Sequence, residues 1–79
     1  MLNAYVLIET EIGTSPKVAE SLRAINEVIS VSRVTGPHDV IAMVKALDIN
    51  ALGGLLQDVV RSVPGVLRTV TCVVVSQPK

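Results

Sequence analysis

Two β-type segments of this sequence are apolar on both of their alternating faces, and this feature constrains the fold most. Residues 40–47 run Val-Ile-Ala-Met-Val-Lys-Ala-Leu, and residues 66–76 end in Val-Thr-Cys-Val-Val-Val-Ser. Because successive side chains of a strand point to opposite sides of a sheet, such segments are typical of strands that are covered on both sides. Whatever fold the chain adopts must therefore place apolar cover above and below these two strands.

Two further strands and a first helix are predicted from local patterns. Residues 4–11 and 28–35 are rich in β-branched and other apolar residues, which favours strands. Between them, Val18, Leu22 and Ile25 recur at helical spacing and predict a helix over about 15–26. Ser15 followed by Pro16 is a suitable N-cap with proline at the first helical position.

A second helix is predicted between Asp48, a candidate N-cap, and the Pro64–Gly65 pair that ends it. Its apolar stripe consists of Leu52, Leu55, Leu56, Val59 and Val63. Gly53–Gly54 interrupts the stripe and costs about 1–2 kcal/mol relative to two alanines. Either a close approach of another backbone or a break in the helix would explain these glycines.

The resulting order is β-α-β-β-α-β, which predicts the ferredoxin-like α+β fold as a single domain over residues 1–79. Right-handed crossovers place both helices on one face of a four-stranded antiparallel sheet. The other face remains apolar, and we expect the same face of a second subunit to cover it, giving a dimeric α+β barrel. Burying several such side chains at about 1.5–3 kcal/mol each outweighs an association cost of about 4–15 kcal/mol.

Composition excludes several classes of function. Seven basic and seven acidic residues give a net charge of zero, and Tyr5 is the single aromatic residue, so we expect no direct contact with nucleic acid. No apolar run approaches the roughly 18 residues of a membrane span, and the N-terminus lacks the layout of a signal peptide. One cysteine, Cys72, allows neither an internal disulfide nor a zinc cluster. We expect a cytoplasmic protein without metal or cofactor, with Cys72 as a small core side chain.

No arrangement of residues typical of catalysis is visible. His38 is the only histidine, and it lies in a predicted turn, far from a strand cysteine. Neither a phosphate-binding Gly-x-x-x-x-Gly-Lys loop nor a Gly-x-Gly-x-x-Gly motif is present. We therefore expect a binding protein rather than an enzyme.

The segment Gly36-Pro37-His38-Asp39 is the best candidate ligand site. A tight turn between strands exposes backbone N–H groups that can hold a carboxylate, and Asp39 could receive an ammonium group. Together these groups complement the charged head of a free amino acid. The alternative is an ordinary hairpin turn in which Asp39 bonds its own backbone and His38 is solvated. Thr69 and Thr71 share a face of the last strand, where they offer hydroxyls to a ligand or only favour β structure.

Two segments resemble the effector domain of the Lrp/AsnC family of regulators. Val34–Ile41 (Val-Thr-Gly-Pro-His-Asp-Val-Ile) is similar to that family's V-x-G-x-x-D-hydrophobic motif, and Val63–Thr71 (Val-Pro-Gly-Val-Leu-Arg-Thr-Val-Thr) to its hydrophobic-P-G-V-x-x-T-x-T motif. Both occur in the expected order on either side of the second helix. The resemblance covers practically the whole chain.

The resemblance implies a module for the regulation of amino-acid metabolism, or RAM domain. Such domains dimerise back to back through their sheets, and the dimers can form tetramers or octamers that bind an amino-acid effector between dimers. By matching position, Gly36 and Asp39 are the strongest ligand-site candidates, followed by Pro37, His38, Thr69 and Thr71. The family's helix-turn-helix has no counterpart here, so we expect a stand-alone RAM protein that acts without direct DNA binding, either alone or mixed with full-length regulators.

Three alternatives remain open at this level. An ACT-type regulatory domain has the same element order, although the segment 12–16 fits its ligand-binding turn poorly. A small enzyme of the dimeric α+β-barrel class would need polar and aromatic side chains that this sequence lacks. A structural adaptor would use only the assembly surface and bind no effector.

Overall fold

A computed structural model describes residues 1–76 as one antiparallel sheet with helical segments on one face. The strands are β1 (Leu2–Thr10), β2 (Val28–Arg33), β3 (Val40–Ala46) and β4 (Val66–Val73). Helix α1 is Ser15–Arg23, and α2 is Ile49–Gly54, which continues as a π-helical segment, Leu55–Val60. The spatial order β2-β3-β1-β4 and the chain order β-α-β-β-α-β confirm the predicted ferredoxin-like arrangement.

The core lies between the helical layer and one face of the two central strands. Alternate residues of β1 and β3 point into it, and Val18 and Leu22 of α1 meet them together with Leu52, Leu55 and Val60. The strand residues buried there are Ala4, Val6, Ile8, Val40, Ala42, Val44 and Ala46. Each large apolar side chain buried in this way contributes about 1.5–3 kcal/mol of transfer free energy. The predicted period-2 pattern of β3 is therefore confirmed on this face.

Helix α1 begins at Ser15 as predicted, but its N-cap and its last residue differ from the prediction. Its N-cap is Thr14 rather than Ser15, and Ser15 is the first helical residue. The Thr14 hydroxyl donates a 2.7 Å hydrogen bond to the Glu11 carbonyl instead of accepting from the helix. The helix ends at Arg23, whereas the pattern predicted residue 26, and Ile25 packs on the core from the following turn.

The second helix changes its hydrogen-bonding pattern after Gly54. The Arg61 N–H donates to the Leu56 carbonyl five residues earlier at 3.0 Å, which is the π-helical spacing. The wider turn shifts the buried face by one position, so Val60 is 1% exposed while Val59, predicted to face the core, is 38% exposed. Among the described residues no atom approaches the positions that Cβ atoms of Gly53 and Gly54 would take, so close backbone approach does not explain these glycines.

The connection between β2 and β3 is longer than the predicted tight turn. It spans residues 34–39 and is closed by a 2.8 Å hydrogen bond from the Val34 N–H to the Asp39 carbonyl. The two strands still pair antiparallel, as the hairpin prediction required. The extra residues leave a loop that projects from the end of the sheet.

The helix-free face of the sheet carries an apolar patch that we call the outer face patch. It consists of Tyr5, Leu7, Ile41, Met43, Val70 and Cys72, which the strand register brings to one side. Tyr5 is 40% and Val70 44% exposed, and Cys72 is exposed rather than part of the subunit core as predicted. Cys72 pairs with Tyr5, whose side chain points away from the helices. This strand register explains why Cys72 is exposed. An ion pair at 3.0 Å between Arg68 and Glu9 borders the patch.

Gly65 is the glycine that the packing requires most. Its φ is +98°, and an added Cβ would lie 2.8 Å from the Thr14 hydroxyl and 3.0 Å from a methyl group of Val18. We expect Gly65→Ala to lower the free energy of unfolding by about 2–4 kcal/mol, through backbone strain and overpacking. Urea denaturation at one fixed protein concentration measures the change.

Gly53→Ala is the matched control, since Gly53 is helical and faces open space. We expect this change to raise stability by about 0.5–1 kcal/mol, because alanine loses less chain entropy in a helix. Equal effects of the two substitutions would contradict the close packing of Gly65.

Candidate functional site

The loop between β2 and β3 presents the predicted ligand-binding turn at one end of the sheet. Gly36 has a φ of +125°, a conformation that L-residues with side chains rarely adopt. Gly36 and Pro37 are exposed, whereas His38 and Asp39 are half-buried where the chain returns to the sheet. The first part of the turn is therefore open to solvent, whereas its last two residues are partly covered by the rest of the domain.

Asp39 anchors this turn to the central strand. One of its carboxylate oxygens, Oδ2, accepts a 2.8 Å hydrogen bond from the Thr10 N–H and a 3.1 Å bond from the Thr10 hydroxyl. The Asp39 N–H in turn donates to the Ile8 carbonyl at 2.9 Å. From the sequence, the Asp39 carboxylate is expected to bind a ligand's ammonium group or to bond its own backbone. This contact with β1 was not predicted. The second oxygen, Oδ1, has no partner among the described residues.

The turn also contains backbone donors without acceptors. Within residues 1–76, the N–H groups of Thr35, Gly36 and His38 make no hydrogen bond. Successive backbone N–H groups, such as those of Thr35 and Gly36, are donors that can bind an anion such as a carboxylate. One loop thus contains N–H donors that favour a negatively charged group and a carboxylate oxygen that favours a positively charged group.

Thr69 and Thr71 lie on the helix-facing side of β4, opposite Ile8 and Val6 of β1. Both are half-buried, and neither hydroxyl makes a hydrogen bond among the described residues. Thr69 and Asp39 share one end of the sheet but lie on opposite sides of β1, about 10 Å apart at normal strand spacing. Thr71 lies two residues farther along β4, opposite Val6.

The structure thus brings four of the predicted site residues, Gly36 to Asp39, into one loop and leaves the two threonines on the far side of β1. Sequence reasoning missed Thr10, the only buried polar residue of the described chain. The signal was available, because Thr10 continues the buried alternation of β1 at the strand end, where a hydroxyl needs a partner.

A cavity of about 490 Å³ lies elsewhere, beside the start of α1. Its lining consists of Glu11, Gly13, Thr14, Lys17, Ser21 and the Pro64–Gly65 turn, none of which was predicted as a site residue. A smaller depression of about 200 Å³ lies at the opposite end of the sheet, between residues 1–3 and 74–76.

Two further classes of site were sought among residues 1–76. No group of three or more histidine, cysteine, aspartate or glutamate side chains is arranged to hold a metal ion there. None of the helices in that range is long and apolar enough to cross a membrane.

Solved and curated proteins match this chain over nearly its full length. The HTH-type transcriptional regulator FL11 of Pyrococcus abyssi is 32% identical over 76 residues, which cover 96% of this chain and 50% of the regulator. The chain thus spans half the length of that curated relative.

Two solved structures show the same fold. A protein from Thermus thermophilus is 30% identical, with a TM-score of 0.92 and full coverage of both chains. The feast or famine regulatory protein of Mycobacterium tuberculosis, complexed with L-methionine, is 28% identical with a TM-score of 0.83, and the match covers 98% of this chain and 52% of that protein.

The family assignment rests on the sequence and the fold together. Residues 3–79 match the family described as the Lrp/AsnC ligand binding domain. The predicted resemblance of the chain to the effector domain of Lrp/AsnC regulators is therefore confirmed, and the family is a ligand-binding domain of transcription regulators rather than an enzyme family. This chain belongs to the Lrp/AsnC ligand binding domain family.

Proposed function

We propose that the chain is an amino-acid-sensing domain in which the turn of residues 36–39 holds the head of the effector. The observation that carries this proposal is the pairing, in one loop, of unbonded backbone N–H groups with the open oxygen of an anchored Asp39. Its ligand is a free amino acid, and no catalytic step is involved.

The chemistry of the turn fits a zwitterion. The effector's carboxylate accepts from the N–H groups around Gly36, and its ammonium group donates to Asp39 Oδ1, giving charge-assisted hydrogen bonds. Because Thr10 already holds Oδ2, the acceptor is oriented before the ligand arrives, which lowers the entropic cost of binding. Pro37 and His38 form the remaining wall of the turn. The methionine complex of the Mycobacterium tuberculosis relative supports this class of ligand.

We propose that Thr69 and Thr71 also contact the effector, but from a different subunit of the oligomer. Since Asp39 and Thr69 of one chain are separated by about 10 Å, a single amino-acid head cannot bridge them within a subunit. We place the effector between dimers, where the turn of one subunit can meet the threonine-bearing strand of another. The preference for one amino acid over another then depends on how two dimers meet.

Assembly follows from the outer face patch. Its six apolar or weakly polar side chains lie side by side on a face that the chain's own helices do not cover. Contiguous patches of this kind on soluble proteins mark interaction surfaces. A second copy placed face to face would bury both patches and complete a dimeric α+β barrel, from which tetramers or octamers can form.

The regulatory output does not require contact between this domain and DNA. The net charge is zero, so the chain has no basic excess for binding nucleic acid, and its one aromatic side chain lies in the outer face patch rather than in a stacking platform. Regulation proceeds either by mixed assembly with full-length Lrp/AsnC proteins or by binding the effector they share.

The ligand prediction is tested by a thermal-shift panel of the twenty amino acids. At millimolar concentration at least one should raise the melting temperature, because binding to the native state stabilises it by about 2.7 kcal/mol at 100 times Kd. Asp39→Asn should weaken that ligand at least about tenfold, since it removes the charge facing the ammonium group.

Two controls separate binding from folding. Asp58→Asn makes the same chemical change at an exposed position of the π-helical segment and should leave affinity unchanged. Thr10→Val removes one hydrogen bond to Asp39 and should cost about 1 kcal/mol of stability while affinity changes only slightly. If no amino acid stabilises the protein, the sensor proposal is wrong and the adaptor alternative is favoured.

The assembly prediction is tested by Val70→Glu. Val70 is half-exposed in the single subunit, so we expect the subunit to fold with a glutamate there. Sedimentation velocity at micromolar concentration should show oligomers for the unaltered chain and monomers for the variant, because a charge buried between two apolar sheets is strongly unfavourable. Circular dichroism should show the same secondary structure for both.

Ile12→Glu provides the matched control, because Ile12 is fully exposed on the β1–α1 loop and outside the outer face patch. It should sediment like the unaltered chain. A well-folded monomer of the unaltered chain would contradict the sheet-to-sheet dimer.

A further inference from the structure

We propose that the 490 Å³ cavity beside the start of α1 is a second binding site for a small zwitterion of the α-amino-acid class. For brevity it is called the α1 cavity. This inference goes beyond the proposed function, because the α1 cavity contains none of residues 36–39 and neither Thr69 nor Thr71. Its size falls within the range of about 300–1,000 Å³ that is usual for small-molecule sites.

The walls of the α1 cavity are held in place by contacts between two separate connections. The Glu11 N–H donates to the Gly65 carbonyl at 2.8 Å, which ties the end of β1 to the turn before β4. The Glu11 carbonyl accepts from the Thr14 N–H at 3.1 Å and from its hydroxyl at 2.7 Å. Gly65 lies so close to Thr14 that a Cβ would clash. These contacts hold together the two connections that form the walls of the α1 cavity.

Two side chains of opposite charge line the α1 cavity without neutralising each other. Glu11 and Lys17 are both exposed, and neither makes an ion pair with the other or with any other described residue. A ligand that carries separated charges of both signs can satisfy each of them at once. A singly charged ligand would leave one of the two unmatched.

The surroundings of each charge assign the orientation of the ligand. Lys17 lies in the first turn of α1, a helix of nine residues, where the helix dipole adds to its positive charge and favours a carboxylate. Glu11 faces the ligand's ammonium group. Pro64 and the methylene groups of Gly13 and Gly65 supply apolar surface for the body of the ligand, and Ser21 adds a hydroxyl.

Amide shifts in ¹⁵N-labelled full-length chain distinguish the two sites directly. Each of the twenty amino acids is titrated to millimolar concentration, and the best ligand is compared with its N-acetyl and methyl-ester derivatives. We expect shifts of the Gly13, Thr14 and Gly65 amides to saturate with the free amino acid, and affinity there to fall at least about tenfold for both derivatives, each of which lacks one charge.

Substitutions then test the two charges. Glu11→Gln and Lys17→Met should each weaken the shifts around the α1 cavity about tenfold and leave the far-ultraviolet circular dichroism unchanged. Glu20→Gln is the matched control, because Glu20 is an exposed glutamate of α1 that does not line the α1 cavity. Lys17→Arg should restore most of the affinity.

The outcomes separate this proposal from the sensor site. In Asp39→Asn, shifts of the α1 cavity amides should persist while those at Gly36 and His38 are lost. The second site is excluded if no amino acid shifts the α1 cavity amides, or if the shifts survive in the Glu11→Gln, Lys17→Met double variant. If the unaltered chain shows shifts at the α1 cavity amides but none at Gly36 and His38, the sensor site is wrong and the second site stands.

Discussion

A single sheet with helices on only one side is the constraint on which the rest of this structure depends. The inner side is closed by α1, α2 and the π-helical segment, and the alternating residues of β1 and β3 are buried there. The outer side has no such cover within residues 1–76, although the outer face patch is apolar. One face of the sheet is covered by helices, and the other is apolar but uncovered in the described part of the chain. The proposed assembly, and the placement of an effector between subunits, follow from this difference.

The link between Asp39 and Thr10 joins the fold to the candidate site. A carboxylate at the base of the turn accepts two hydrogen bonds from the end of the central strand, so one side chain both orders the loop and keeps one oxygen open. The same strand continues into Glu11, which lines the α1 cavity and bonds the Gly65 carbonyl. The end of β1 is therefore the structural element shared by both proposed sites.

Local patterns predicted the elements better than they predicted boundaries or buried faces. Alternation and helical spacing identify every strand and helix, because each segment's apolar residues recur with the period of its own backbone. The same reasoning predicted Val59 in the core, where Val60 lies, because it assumed a regular α-helix and the chain inserts a π turn after Gly54. The Gly53–Gly54 pair marks where the regular helix ends, but the π-helical form of the following turn depends on packing.

The sequence by itself determined the order of the elements, the family and the turn at residues 36–39, because these follow from periodicity and from short motifs of glycine, proline and aspartate. Only the tertiary structure decided what those residues touch. It paired Asp39 with Thr10 across 29 positions, placed Cys72 on the outer face, and formed the α1 cavity from Glu11, Lys17 and Gly65. Contacts between distant segments depend on strand register and helix packing, which are set by the whole chain rather than by any local pattern.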